Sequence, residues 1–248
     1  MREFQTSRRQ PGRSAFGVLF WWTFIARIVH LFFMVFYGIK CRGKENVPQT
    51  GAHIYVANHQ SHYDPPIVGV LVRDRPFSSL ARASLFHNPV FGWLIRSLGA
   101  VPIEQGRGDA GAIRTAIQEL EAGRCVLIFP EGSRSPDGLI HPFQRGVLLL
   151  LKKAQVPVVP VAIEGAFDVW PAHQKKPRLS GRLAVRAASP IPYEDLMKDG
   201  ADAALDRLRS EIDAMRLELR EELRASSGGR FPPPGTADGP SRTVGLSD

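Results

Sequence analysis

Cysteine is nearly absent from this chain. Its 248 residues hold two, Cys41 and Cys125, and no C-x-x-C pair, which excludes a disulfide-stapled secreted scaffold and a zinc knuckle. No G-x-S-x-G elbow occurs, which argues against a serine lipase. There is no internal repeat, and only one apolar run is longer than a strand, so a polytopic membrane protein is not expected. Acidic residues are scarce at the start. Residues 1–46 carry Glu3 and Glu45 against Arg2, Arg8, Arg9, Arg13, Arg27, Lys40, Arg42 and Lys44, eight minus two, or +6 of the formal +8. That basic block surrounds the most apolar segment. Such a placement reads as membrane surface, and no nucleic-acid partner is expected.

The apolar segment, Ala15 to Ile39, holds nine of the 22 aromatics and one fixed charge, Arg27. As a helix it would be about 37 Å long, enough to cross a bilayer core. It is too long and too aromatic for a signal peptide, and no A-x-A site follows. Thr23, Arg27 and His30 fall on one helical stripe, and basic residues flank both ends. Both facts suit a helix, or a bent pair, lying in one leaflet at the cytoplasmic face better than a single spanning helix.

Beyond residue 40 the pattern alternates. His53–Ala57, Phe77–Arg82, Ala100–Glu104, Cys125–Pro130, Val156–Ile163 and, more weakly, Arg182–Ala187 read as strands. Pro66–Val72, Pro89–Leu98, Ala110–Ala122 and Gly146–Ala154 read as helices, and a last helix over 201–224 puts Leu205, Leu208, Ile212, Met215, Leu219 and Leu223 on one face. The fold class expected is α/β, one mostly buried sheet covered by helices. Three regions follow: a membrane-associating segment over 1–40, a catalytic domain over 41–224, and a disordered tail over 225–248, where 13 of 24 residues are Gly, Pro or Ser.

Two polar constellations follow apolar strands. In Asn58-His59-Gln60-Ser61-His62-Tyr63-Asp64-Pro65-Pro66, a helix start at the proline pair can fold the Asp64 carboxylate back onto the His59 imidazole. A carboxylate on one ring nitrogen leaves the other free to take a proton from an alcohol. Asp64 as a simple helix cap is the other reading. A metal set of His59, His62 and Asp64 is also conceivable but fits no common zinc spacing. In Phe129-Pro130-Glu131-Gly132-Ser133-Arg134-Ser135, the glycine permits close backbone approach and the arginine offers a planar fork for phosphate. An ordinary capped β-turn with an exposed Arg–Glu pair is the alternative there.

Together, in this order, the two blocks resemble the lysophospholipid acyltransferase family typified by 1-acylglycerol-3-phosphate acyltransferase. Asn58, His59, Ser61 and Asp64 meet its N-H-x-S-x-x-D block. Phe129 to Ser135 meet F-P-E-G-[TS]-R-S, and Val156-Pro157-Val158-Val159-Pro160 corresponds to its apolar fourth block. A second block, G-x-x-x-I-D/E-R, departs. Gly99-Ala100-Val101-Pro102-Ile103-Glu104 is followed by Gln105, with Arg107 two positions on.

The resemblance implies an O-acyltransferase with no cofactor and no metal, using acyl-CoA or acyl carrier protein as co-substrate. It would acylate a lysophospholipid, 1-acylglycerol-3-phosphate foremost, giving phosphatidic acid in phospholipid biosynthesis. His59 oriented by Asp64 would be the base. Glu131, Gly132, Ser133 and Arg134 would hold the acceptor, with Arg107, Arg82 and Arg145 adding charge. Backbone amides near Asn58–Ser61 or Gly132 would stabilise the oxyanion. Gln105 keeps a different lysolipid acceptor open, and a lipid-ester hydrolase is the rival from another class.

Overall fold

The computed structural model describes residues 15–73, 75–103 and 110–241. One helix opens the chain, α1 (Ala15–Tyr37). The body then runs β1 (Lys40–Arg42), β2 (Ile54–Ala57), α2 (Asp64–Leu71), β3 (Phe77–Arg82), α3 (Pro89–Ser97), β4 (Ala100–Ile103), α4 (Ala110–Glu121) and β5 (Cys125–Ile128). It continues through α5 (Gly146–Ala154), β6 (Val158–Glu164), α6 (Ala166–Val169), β7 (Ala184–Ala187), α7 (Tyr193–Met197) and α8 (Ala201–Ser226). Seven strands form one sheet in the order β1-β7-β6-β2-β5-β3-β4. Every pair is parallel except β6 with β7.

All six strands expected from the sequence are present. The seventh, β1, escaped because it is three residues long, charged and at the sheet edge. In β2 all four residues are buried, with Tyr55 and Ala57 facing one layer and Ile54 and Val56 the other. That two-sided burial is what near-continuous apolar strands require. The first layer is closed by α1 and α2, through Trp22, Phe33, Tyr37, Ile67, Val68 and Leu71. The second is closed by α4, α5 and α8, through Ala116, Leu120, Leu150, Leu208, Ile212 and Leu219.

Helix α1 is a single helix of 23 residues, about 34 Å long. Val18, Trp22, Ala26, Phe33 and Tyr37 are buried against the body at helical spacing, while Phe20, Phe24, Ile28, Leu31, Met34, Val35 and Phe36 are exposed. It is the one described helix long and apolar enough to cross a membrane. Its packed face, however, runs almost its whole length.

The tail departs from expectation. The sequence predicts disorder from residue 225, yet α8 continues to Ser226 and residues 227–241 fold back along it. Composition set the expectation; buried arginines overturn it. Arg216 donates to the carbonyls of Ala237 and Gly239, and Arg220 to the Pro233 carbonyl and the Asp238 carboxylate. Arg220 also pairs with the fully buried Glu164 at 2.6 Å. The carbonyls of a segment outside helix and sheet are open to these guanidinium forks. Residues 242–248 lie outside the described ones.

Candidate active site

The C-terminal ends of β2 and β5 lie side by side in the sheet, so the loops that follow them meet. Such an edge is where open α/β sheets bind ligands. Asn58 ends β2 by pairing with Ile163 of β6 in both directions, accepting its amide at 2.8 Å and donating to its carbonyl at 2.9 Å. The chain then turns, and α2 begins at Asp64 with prolines in its first turn.

The Asp64 carboxylate is fully buried, and one oxygen, Oδ2, gathers three donors. They are the Gln60 amide at 2.6 Å, the Ser61 amide at 2.7 Å and His59 Nδ1 at 2.7 Å. Asp64 therefore caps the turn before its own helix and also orients the imidazole; the two sequence readings are one arrangement. With Nδ1 donating to the carboxylate, Nε2 carries the lone pair. The ring lies flat on Phe129, centroids 4.1 Å apart at 18°, which fixes its remaining degree of freedom.

The second loop grips the first. The His59 amide donates to Glu131 Oε1 at 2.7 Å, and the Ser135 amide donates to the His59 carbonyl at 2.7 Å. Glu131 Oε2 accepts the His141 amide at 3.0 Å. Burial pushes the Glu131 carboxyl up to about 8, against the pull of those two amides. Gly132 has φ 72°, a left-handed backbone conformation that favours glycine, and a Cβ there would displace the Gln144 amide.

Both loops border a cleft of about 430 Å³. Its polar end presents His59, Ser61, His62, Arg82, Ser133 and Arg134, with no carboxylate among its described lining residues. Arg134 is half-buried, and its Nη1 is buried without a hydrogen-bond partner. Burial and then the Arg82 charge lower the Arg134 pKa, Asp64 opposing. Two guanidiniums crowded together with an unsatisfied donor describe a cradle for an anion. Beyond them the cleft becomes apolar, walled by Leu80, Ile103, Ile113, Leu127, Val147 and Leu150.

The expected residues are thus placed unevenly. His59, Asp64, Gly132, Ser133, Arg134 and Arg82 converge. Glu131 is not among the residues lining the cleft; each of its oxygens accepts one loop amide, which anchors the His59 backbone. Arg145 points away, with its side chain 80% exposed and 3.9 Å from Asp202 on α8. Arg107 lies outside the described residues. Of the amides proposed for the oxyanion, four are already engaged: His59 by Glu131, Gln60 and Ser61 by Asp64, Gly132 by the Phe129 carbonyl. Among the described residues His59, His62 and Asp64 form no metal-ligating group. Gln144 and His62 also line the cleft, a place the sequence reading did not assign to either. His62 lines the cleft against Trp170 at 4.9 Å, its pKa lowered by burial, then by Arg134 and His59. Its place inside the first motif was the available signal.

Comparison with known proteins identifies the family. A family model described as Acyltransferase matches residues 38–164. The chain is 30% identical over 180 residues to a chloroplastic 1-acyl-sn-glycerol-3-phosphate acyltransferase of Brassica napus, covering 71% of this chain and 50% of that one. It is 30% identical over 206 residues to the alpha form of 1-acyl-sn-glycerol-3-phosphate acyltransferase from Homo sapiens, covering 81% and 72%. The chain spans about half the length of the plant relative. The crystal structure of the 1-acyl-sn-glycerophosphate acyltransferase PlsC from Thermotoga maritima superposes with a TM-score of 0.66 at 28% identity, over 79% of each chain.

Proposed function

The chain belongs to the acyltransferase family, and on that premise we propose that it acylates 1-acylglycerol-3-phosphate from a thioester donor, giving phosphatidic acid. One observation carries the choice of acceptor. Arg134 and Arg82 share a cleft with no carboxylate among its described lining residues, and a buried Arg134 donor is left unpaired. A phosphate monoester supplies both the charge and the acceptors that this end lacks, and a zwitterionic headgroup supplies less.

In this reading His59 Nε2 removes the proton from the acceptor hydroxyl as that oxygen bonds to the thioester carbonyl carbon. The carbonyl electrons move to oxygen and return as the C–S bond breaks. The imidazolium, stabilised by Asp64, gives its proton to the departing thiolate, so base and acid are one residue. The acyl chain lies along the apolar end, and coenzyme A or acyl carrier protein supplies the thioester. Ser61 is unsuited to be a hydrolase nucleophile, because its hydroxyl donates to the Trp170 carbonyl at 2.8 Å and accepts the Tyr63 amide.

Helix α1 seats the protein in one leaflet at the cytoplasmic face. A helix packed on the body from Val18 to Tyr37 cannot cross a bilayer without drawing the domain in, whereas its exposed aromatic face suits an interface. Membranes holding the chain, given a panel of lysolipids with acyl-CoA or acyl carrier protein, should convert lysophosphatidate fastest by mass spectrometry. Arg134→Ala should raise its KM about tenfold or more. A faster phosphate-free acceptor would overturn the reading.

A further inference from the structure

Between α6 and β7 the chain runs Pro171–Arg182, PAHQKKPRLSGR. Lys175, Lys176, Arg178 and Arg182 fall within eight residues, and no acidic residue occurs from 169 to 193. His173, Lys175, Lys176, Arg178, Leu179 and Ser180 are exposed. No ion pair reaches Lys175 or Lys176 among the described residues. At the tip Leu179 is 72% exposed, a large apolar side chain surrounded by cations.

The loop is not loose. The Arg178 amide donates to the Val169 carbonyl at 2.9 Å, and the Trp170 indole donates to the Gln174 carbonyl at 3.0 Å. Its base is tied to the end of α1. The Tyr37 hydroxyl donates to the Arg178 carbonyl at 2.9 Å, and the Leu183 amide donates to the Tyr37 carbonyl at 3.3 Å. An aromatic cluster completes the junction: Phe32 meets Tyr63, and Tyr63 meets Trp170, whose ring also touches His62 in the cleft. The exposed Val35 and Phe36 of α1 are therefore continuous with the basic loop, and the loop adjoins the active site.

We infer that this loop is a second membrane contact, binding anionic lipid headgroups beside the end of α1. The inference rests on the leaflet seating of α1 proposed above. An aromatic helix at interfacial depth puts its exposed Val35 and Phe36 against the lipid, where the neighbouring cationic loop faces lipid phosphates. Continuity with the apolar face of α1 favours a lipid surface over a soluble anion, and so does Leu179, which a nucleotide or an acidic carrier protein does not require. Held there, the loop would concentrate anionic lysolipid at the cleft.

The full chain is floated with vesicles of phosphatidylcholine alone or mixed with phosphatidylglycerol, at low and high salt. Phosphatidylglycerol should tighten binding, and salt should erode the gain. Lys175→Gln with Lys176→Gln should lose about fivefold of that gain per lysine while binding to phosphatidylcholine is unchanged. Ile28→Asp on α1 should weaken binding to both vesicles. An undiminished phosphatidylglycerol gain in the double variant overturns the inference and leaves the α1 seating intact. A raised KM for acyl-CoA or acyl carrier protein in detergent, with vesicle affinity unchanged, overturns it in favour of donor docking. A wild-type chain that binds neither vesicle overturns both readings.

Discussion

Strand β2 has a histidine at each end, and the two have opposite fates. His53, just before the strand, is 1% exposed and packs edge-on against Tyr55, with its Nδ1 3.5 Å from Cys125 Sγ. Its Nε2 is buried without a partner, and burial with the Arg75 charge pushes its pKa down to about 3. It is held neutral and has no access to a substrate. His59, two residues past the strand, has a carboxylate on Nδ1, an aromatic ring beneath it and a cleft in front. The side chain is the same. What differs is the edge of the sheet: at the N-terminal edge Arg75, Gly51 and Cys125 close over the ring, whereas at the C-terminal edge the loops part.

The contrast can be broken most directly by truncating each ring. His59→Ala should lower kcat by about 10³-fold or more, while His53→Gln should leave kcat within about twofold. Steady-state assays of both variants, with membrane recovery measured alongside, decide the point, and comparable losses would erase the distinction. Asp64→Asn sharpens it. One oxygen serves both the turn and Nδ1, so the amide oxygen can keep all three hydrogen bonds but brings no negative charge to stabilise the imidazolium. Accordingly kcat should fall about 10²–10⁴-fold while the turn is retained. Melting together with turnover separates this outcome from simple unfolding.

The smallest effects are linkage effects, and they run in opposite directions. Glu131 has its carboxyl raised from 4.5 to about 8. The folded state therefore binds more protons than the unfolded one in that window, and this group's contribution to stability falls as pH rises through it. His53 is lowered from 6.5 to about 3. There the unfolded state binds more protons, so stability is lost as pH falls through that window. Each slope is at most about 1.4 kcal/mol per pH unit. Denaturant unfolding against pH should show Glu131→Gln removing the first slope and His53→Gln the second. The Glu131 variant should also lose about tenfold in kcat at unchanged acceptor KM, because its new NH2 group faces an amide donor.

Much of this was legible beforehand, for identifiable reasons. Apolar strands are short and punctuated by glycine and proline, so β2 through β7 declared themselves. The two motifs named His59, Asp64 and Arg134 because each residue is chemically specific. Glu131 was expected only to hold the acceptor, and its grip on the His59 backbone stayed hidden, because the amides it accepts cannot be read from the sequence. Arg145 was misplaced because its direction depends on how α5 packs beside α8. The tail was missed because its order rests on Arg216 and Arg220, which composition counts as solvent-exposed.

The grip of the second loop on the first has a further consequence. His59 is held at both its amide and its carbonyl by residues up to 76 positions later in the chain. The two turns are therefore one casting. Transplanting the histidine turn alone onto another scaffold would deliver an imidazole with a wandering backbone, whereas moving both turns together would carry the geometry with them.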